Sequence, residues 1–160
     1  MIALENGLEK GFNKPRALTE SEILEIIQKF ATAAELSKKA GFTGVQIHGA
    51  HGYLVSQFLS PRHNQRDDQW GGSLENRMRF VLAVYHAIRE KVGNDFPIGI
   101  KLNSADFMRG GFTEEDSMEV VKALANAGID LIEISGGTYE SPSMVGHKMK
   151  PTTQKREAYF

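Results

Sequence analysis

The stretch FPIGIKLN, residues 96–103, carries the pattern that decides the fold. Within it, Ile98 and Ile100 alternate with Gly99 and Lys101, and successive side chains of a strand point to opposite faces. An apolar run this short is typical of a β-strand rather than of a helix. The pattern therefore predicts a strand with one apolar face and one face that carries a lysine.

A helical pattern with a capping signal precedes this strand, and two further helical patterns of the same kind occur in the chain. The first helix is predicted over about residues 20–40, because Thr19 and Glu22 have the capping-box spacing and apolar residues follow at helical intervals. Ser73 can cap a second helix. Thr113 can cap a third helix, whose acidic first turn the helix dipole favours.

Two further short runs, TGVQIHG at 43–49 and DLIEISGG at 130–137, also predict strands. Three helix–strand units in succession are typical of a parallel sheet with crossover helices. An open sheet covered on both sides is apolar on both faces, whereas one face of each predicted strand is polar. The polar face fits the lumen of a (β/α)8 TIM barrel, with His48, Lys101 and Ser135 at the carboxyl ends of the strands where such barrels place their sites.

The chain is too short for a complete barrel. It has 160 residues, and a complete barrel takes about 250. We therefore expect residues 1–160 to be the central part of one barrel domain, truncated at both ends and holding about three of the eight strands. The residues TTQKREAYF at 152–160 predict the capped start of another helix.

The composition is that of an ordinary globular protein, with a formal net charge of −1, 24% charged residues and 41% hydrophobic residues. Nothing in it favours a nucleic-acid partner. No apolar run has the length of a membrane span, and the first residues lack a secretory signal pattern, so we expect a cytoplasmic location. With no cysteine in the chain, redox chemistry would need a bound cofactor.

The stretch QIHGAHGYL at 46–54 places two histidines and a tyrosine directly after a predicted strand. On spacing alone, structural histidines in a loop explain His48 and His51 better than a catalytic role does, and a packed ring explains Tyr53 as well as a catalytic role does. A metal site is the weaker interpretation, because His48 and His51 are three apart and lack the glutamate of zinc-binding helices. His63 and His86 are further ligand candidates, and His86 is predicted on a helix surface.

Four stretches in order, PRALTESEI, AGFTGVQIHGAHGYLVSQFLSPRHNQRDDQWGGSLENR, IGIKLNSADF and LIEISGGTYE, resemble the old yellow enzyme family of FMN-dependent oxidoreductases, also described as NADH:flavin oxidoreductases. The resemblance implies a TIM barrel that binds FMN, is reduced by NAD(P)H and passes hydride to a small-molecule alkene conjugated to a carbonyl. It implies that His48 and His51 bind the carbonyl oxygen and that Tyr53 protonates the alkene carbon. It also implies that Lys101 lies near the flavin pyrimidine edge, where many relatives have arginine.

These residue types suit that chemistry. Hydride delivery builds negative charge on the carbonyl oxygen, and two fixed imidazole donors would stabilise it. A tyrosine, which ordinarily titrates near about pH 10, stays protonated at neutral pH and can act as the acid. Lys101 would stabilise negative charge on the flavin ring, and we expect Glu133, in phase on the next strand, to pair with it.

The loop NQRDDQWGGSLENR at 64–77 is rich in charge and could be mistaken for a substrate loop. We expect a structural role, with Asn64, Arg66, Asp68 and Arg77 bonding within the loop. The glycine pairs in RGGF and SGGTYE lack the spacing of phosphate-binding loops, so neither is assigned to phosphate.

The resemblance also bears on what this length of chain can do. Relatives hold the flavin phosphate in loops near the last two strands, so we expect the chain alone to bind FMN weakly. Open strand edges invite association, so a homo-oligomer is possible. The alternative to an FMN-dependent enzyme is therefore a non-catalytic half-barrel that self-associates and does not retain FMN.

Overall fold

The computed structural model describes residues 15–140. In chain order its elements are α1 (Glu20–Lys39), β1 (Val45–Gly49), α2 (Leu54–Leu59), α3 (Leu74–Val92), β2 (Ile98–Asn103), α4 (Glu114–Ala127) and β3 (Leu131–Ser135). The helix predicted from the residues 152–160 lies outside the described residues.

The three strands form one parallel sheet in the order β1-β2-β3. The register places His48 beside Lys101, and Lys101 beside Glu133. Long helices precede β1, β2 and β3, as expected for right-handed crossovers between parallel strands. The predicted helix–strand order and parallel pairing are confirmed, and equivalent positions of the three strands lie in one row across the sheet.

The predicted helix starts are also present. The Thr19 hydroxyl accepts from the Glu22 amide at 3.3 Å, and the Glu22 carboxylate accepts from the Thr19 amide at 2.8 Å, which is the capping box. Ser73 caps α3 and Thr113 caps α4 in the same side-chain-to-amide manner. The short helix α2 was not predicted, because six residues are too few for helical periodicity to show.

The hydrophobic core lies between the helices and the apolar face of the sheet. Ile47 of β1 and Ile98, Ile100 and Leu102 of β2 are buried in it, together with Phe80 and other residues of α3. The opposite face carries Gln46, His48 and Glu133, all exposed, and the partly buried Lys101. The polar and apolar faces predicted from the strand alternation are therefore separated in the structure.

The edge strand β3 is less covered than β2. Leu131 is 60% exposed and Ile134 is 42% exposed, whereas every residue of β2 except Lys101 is buried. Within residues 15–140, α4 is the last helix, and no further helix packs against the outer edge of β3. No helix among these residues has the length and apolar character needed to cross a membrane.

Candidate functional site

The site begins where β1 ends and the chain turns sharply. His51 and Gly52 are both left-handed, with φ of 62° and 78°, and a positive φ is uncommon for a residue other than glycine. The His51 backbone amide donates to Asn103 Oδ1 of β2 at 3.1 Å. The side-chain amide of Asn103 therefore helps to hold His51 in a left-handed conformation that is uncommon for histidine.

This turn brings three rings together at the carboxyl ends of the strands. The His48 and His51 ring centroids are 5.3 Å apart, and those of His48 and Tyr53 are 4.8 Å apart. Tyr53 is 46% exposed, so its ring is not a core ring. Two imidazoles and one phenol thus form one cluster of rings at the carboxyl ends of the strands.

A serine of β3 completes the hydrogen bonding of His51. Ser135 Oγ lies 2.6 Å from His51 Nε2, although the two residues are 84 positions apart in sequence. A hydrogen bond to one ring nitrogen fixes the orientation of an imidazole and biases its tautomer. Ser135 therefore fixes the orientation of the His51 ring.

The expected pair between Lys101 and Glu133 is present. Lys101 Nζ lies 2.8 Å from Glu133 Oε1, and Gln46 Nε2 donates to Glu133 Oε2 at 2.9 Å. The hydrogen bond from Lys101, followed by that from Gln46, lowers the pKa of the Glu133 carboxyl below its ordinary value. The polar face of the sheet thus holds a fixed negative charge between two donors.

Both histidines are poor bases in this setting. Partial burial lowers the pKa of His48, the Lys101 charge lowers it further, and Glu133 opposes these effects. Partial burial also lowers the pKa of His51, with His48 and Lys101 adding to the effect. The lowered pKa values favour the neutral imidazole, which carries one N–H donor.

Replacing Lys101 by methionine is expected to raise the pKa of both His48 and His51. The substitution removes a positive charge that disfavours the imidazolium and leaves the Glu133 carboxylate, which favours it. Histidine ring proton shifts followed by NMR across a pH titration measure the change. Lys122→Met is the control, because Lys122 pairs with Glu119 on the surface of α4. Unchanged titration of both histidines in the Lys101 variant would show that its charge does not reach them.

A buried polar network behind the site was not anticipated from the sequence. Asp106 is 0% exposed and accepts from the Phe112 amide at 2.9 Å and from Asn103 Nδ2 at 3.2 Å. Asn103 Nδ2 also donates to the Gly137 carbonyl at 2.9 Å. Asn103 thereby links the loops after all three strands. The available signal was an asparagine at the end of a predicted strand and an aspartate three residues later.

The predicted structural role of the loop at 64–77 agrees with most of its contacts. Asn64 Nδ2 donates to the carbonyls of Phe58 and Trp70 at 2.8 and 2.7 Å, and Arg66 pairs with Asp68 at 2.5 Å. Asp68 thus bonds within the loop, whereas Asn64 also reaches the Phe58 carbonyl of α2 and Arg66 also donates to the Leu18 carbonyl at 2.7 Å, so the prediction was incomplete for these two residues.

The prediction that Arg77 bonds within the same loop was incomplete. Its Nε donates to the Gly72 carbonyl at 3.2 Å, but its other nitrogens bind the Leu59 carbonyl and Asp116 Oδ2, the latter at 3.1 Å. Arg77 lies on a helix face directed into the protein, so its long side chain reaches two other elements.

Residues 15–140 hold two further histidines, of which His63 lines a cavity with Tyr53 and Tyr139. His86 is exposed on α3, and His63 Nε2 is 3.9 Å from Glu140 Oε1. Burial is the main cause that lowers the pKa of His63. No group of three or more His, Cys, Asp or Glu side chains within residues 15–140 is arranged to hold a metal ion.

Two residues near the predicted site were missed. The Tyr139 hydroxyl is hydrogen-bonded to that of Tyr53, and Glu140 pairs with Arg62 at 2.7 Å. Both follow the third predicted strand, in the SGGTYE stretch. A tyrosine just beyond a barrel strand was the only local signal, and it did not specify a partner 86 positions away.

Comparison with known proteins finds a matching family and close sequence relatives. The family model described as the NADH:flavin oxidoreductase / NADH oxidase family matches residues 2–159. The chain is 49% identical over 128 residues to an NADH oxidase of Thermoanaerobacter brockii, a match that covers 80% of the chain and 20% of that protein. It is 43% identical over 155 residues to the NADH-dependent flavin oxidoreductase iliE of Hypocrea jecorina (strain QM6a), covering 93% of the chain and 38% of that protein.

Solved structures are also similar to the chain. A 2-naphthoyl-CoA reductase complex matches with a TM-score of 0.77 and 44% identity over 79% of the chain and 19% of that protein. The old yellow enzyme homologue from Zymomonas mobilis matches with a TM-score of 0.69 and 29% identity over 88% of the chain and 41% of that protein. The three parallel strands are thus part of a TIM barrel, as the strand alternation predicted.

Proposed function

Because the chain belongs to the NADH:flavin oxidoreductase / NADH oxidase family, we propose that it supplies the substrate half-site of an FMN-dependent, old yellow enzyme-type reductase. Membership implies FMN as cofactor and NAD(P)H as reductant. The proposed acceptor is an alkene conjugated to a carbonyl. The observation that carries the proposal is the convergence of the His48, His51 and Tyr53 rings at the carboxyl ends of parallel strands.

The proposal concerns the complete protein. The chain spans 20% and 38% of the length of the two relatives described above. Three strands cannot close a barrel that needs eight, so we take residues 1–160 as the central part of one FMN-binding barrel domain. The strands that would close the barrel are expected to lie beside β1 and β3, the two edges of the described sheet.

The residues of the polar face fit a flavin. Gln46 carries an amide and Lys101 an ammonium, and both act as hydrogen-bond donors on the side of the sheet away from the helical core. Such donors suit the oxygens and nitrogens of a flavin pyrimidine ring. When bound, FMN supplies the hydride, and Lys101 would place positive charge beside it. Glu133 already holds that ammonium in position, which limits its rotamer freedom before any ligand arrives.

His48 and His51 are proposed to bind the carbonyl oxygen of the acceptor. Their lowered pKa values favour the neutral imidazole, which carries one N–H donor. Ser135 orients the His51 ring, and the His51 amide is fixed by Asn103. Donors held in this way need little rearrangement as negative charge grows on the oxygen, which is the condition for strong electrostatic stabilisation.

Tyr53 is proposed to deliver the proton to the α-carbon. Its ring stacks at a tilt against His48, so the phenol lies beside the group that would bind the carbonyl oxygen. Its exposure leaves room for a substrate carbon near the hydroxyl. In this arrangement one end of the acceptor is held by imidazoles while the adjacent carbon meets an acid.

Anaerobic absorbance measurements on the complete protein, purified with its flavin, test the proposal. NADH or NADPH should bleach the flavin absorbance, and addition of an α,β-unsaturated ketone should restore it with formation of the saturated ketone. A matched saturated ketone is the control and should restore nothing. Bleaching that is reversed by oxygen but not by the unsaturated ketone would support an oxidase and contradict the proposed acceptor.

A second candidate concerns the 160-residue chain as an isolated polypeptide. Leu131 and Ile134 on the edge strand β3 are well exposed, and exposed apolar edge strands associate. We propose that the isolated chain forms dimers or larger species and retains little FMN. Light scattering and a visible absorbance spectrum test this, and a clean monomer that carries stoichiometric flavin would contradict it.

A further inference from the structure

A second tyrosine contacts the proposed proton donor. The Tyr139 ring meets the Tyr53 ring edge-on, with centroids 5.5 Å apart and an interplanar angle of 74°. The Tyr139 hydroxyl donates a hydrogen bond to the Tyr53 hydroxyl oxygen. Tyr139 is 39% exposed, so the pair lies at the surface that a substrate would reach rather than in the core.

The loop that carries Tyr139 is fixed on both sides. A side-chain carbon built on Gly52 would lie 3.4 Å from the Thr138 Cβ and 3.7 Å from the Tyr139 ring, so the two loops are in close contact at a left-handed glycine. On the other side, Arg62 donates to Glu140 Oε2 from Nε at 2.9 Å and from Nη2 at 2.7 Å. The Glu140 side chain is only 2% exposed. Tyr139 is therefore held against Tyr53 by its neighbours.

The direction of the hydrogen bond matters for the chemistry. Tyr139 is the donor, and this hydrogen bond is the main cause that raises the pKa of its phenol above the ordinary value. Because the Tyr53 oxygen accepts from Tyr139, the Tyr53 hydrogen is left to point elsewhere. The histidine side of the site is the neighbouring polar region, since the His48 ring centroid lies 4.8 Å from that of Tyr53.

We propose that Tyr139 is a positioning residue for proton delivery: its hydroxyl directs the Tyr53 hydrogen toward the substrate and stabilises the Tyr53 oxygen after the proton has left. The inference rests on the proposed function of Tyr53. It adds a residue that was not among the predicted site residues and that acts through Tyr53.

The step is balanced without a further reagent. The Tyr53 O–H bond breaks as a C–H bond forms at the substrate α-carbon, and the bonding electrons stay on the Tyr53 oxygen. The Tyr139 hydrogen bond then becomes a bond to a charged acceptor, which is about twice as strong as one between neutral groups. Water returns a proton to Tyr53 before the next turnover. The gain thus appears as charge develops on the Tyr53 oxygen, which is where stabilisation accelerates a reaction.

A double-mutant cycle on the complete, flavin-loaded protein tests the proposal. Tyr139→Phe should slow alkene-dependent recovery of the flavin absorbance by about tenfold, the value of one charge-assisted hydrogen bond at an exposed site. Bleaching by NADH should keep its wild-type rate. Tyr53→Phe/Tyr139→Phe should be no slower than Tyr53→Phe alone, because Tyr139 has nothing to act on once the Tyr53 hydroxyl is gone. Multiplied effects in the double variant would overturn the proposal.

A second measurement does not depend on turnover. In protein labelled with carbon-13 at the tyrosine ring carbon that bears oxygen, NMR follows the titration of each phenol, and substitution to phenylalanine assigns the signals. The pKa of Tyr139 should fall toward its ordinary value in Tyr53→Phe, because the hydrogen bond that raises it has been removed. An unchanged Tyr139 titration would overturn the pairing.

The two measurements distinguish a failure of the proposed function from a failure of the positioning role of Tyr139. If the wild-type protein does not reduce the unsaturated ketone but the Tyr139 titration responds to Tyr53→Phe, the proposed function is wrong and the tyrosine pair is real. If the ketone is reduced and Tyr139→Phe is as fast as wild type, the proposed function stands and the positioning role is wrong.

Discussion

Tyr53→Phe is expected to slow alkene reduction by roughly 10²–10⁴-fold, the usual contribution of a general acid, in the complete flavin-loaded protein. The rate at which NADH bleaches the flavin should not change, since no proton from Tyr53 is needed in that half-reaction. The phenylalanine ring keeps the contact with His48, whose centroid lies 4.8 Å away, so only the hydroxyl is removed. Rapid-mixing absorbance measurements of the two half-reactions give both rates.

Comparison with Tyr139→Phe provides the matched control. Both substitutions remove one hydroxyl from a partly exposed ring of the same pair, but only Tyr53 is proposed to give its proton to the substrate. The rate of alkene reduction should therefore fall about tenfold in Tyr139→Phe and considerably more in Tyr53→Phe. A Tyr53 variant that reduces the alkene at the wild-type rate would mean that the proton comes from another group.

The largest effect on stability is expected from Arg77→Leu. The Arg77 side chain is 7% exposed, and its guanidinium binds the Leu59 carbonyl at the end of α2, the Gly72 carbonyl before α3, and Asp116 in the first turn of α4. Leucine leaves Asp116 without its ionic partner and the carbonyls without a donor. Breaking a buried ion pair in this way typically costs about 3–5 kcal/mol of unfolding free energy.

Urea unfolding followed by circular dichroism measures this loss. Arg79→Leu is the control, because Arg79 lies two residues further along α3 and is exposed, with hydrogen bonds to Gln69 and Asn76 at the surface. A surface change of this kind usually stays within about 0.5 kcal/mol. Equal midpoints for the two variants would show that the contacts of Arg77 with α2 and α4 add nothing to stability.

Local signals in the sequence were sufficient for the long elements. Thr19, Ser73 and Thr113 each predicted a helix start, and each caps a helix through its hydroxyl. The first helix was predicted to about residue 40 and ends at Lys39, with Ala40 as its cap. These predictions succeed because capping and amphipathic spacing act over three or four residues, so the information is contained within one turn of the chain.

Features that depend on residues distant in the sequence were not predicted. Helix α2 is too short to show a period, and it forms where Leu54–Leu59 packs against α3 and β1. Arg77 was assigned to its own loop, since the sequence does not show that α4 brings Asp116 within 3.1 Å of it. In both cases the deciding partner is distant in sequence.

From the sequence alone, the family resemblance singled out His48, His51, Tyr53 and Lys101 as candidates, and the residue pattern determined the helix–strand order and the polar face of the sheet. Alternation within a strand fixes which side chains share a face, and parallel strands bring their carboxyl ends to one edge, so these features follow from local pattern. Only the tertiary structure decided which groups meet there: Ser135 on His51, and Tyr139 on Tyr53 across 86 positions. These contacts depend on the strand register and on the paths of two loops. Both are set by the packing of the whole sheet, so no short stretch of sequence encodes them.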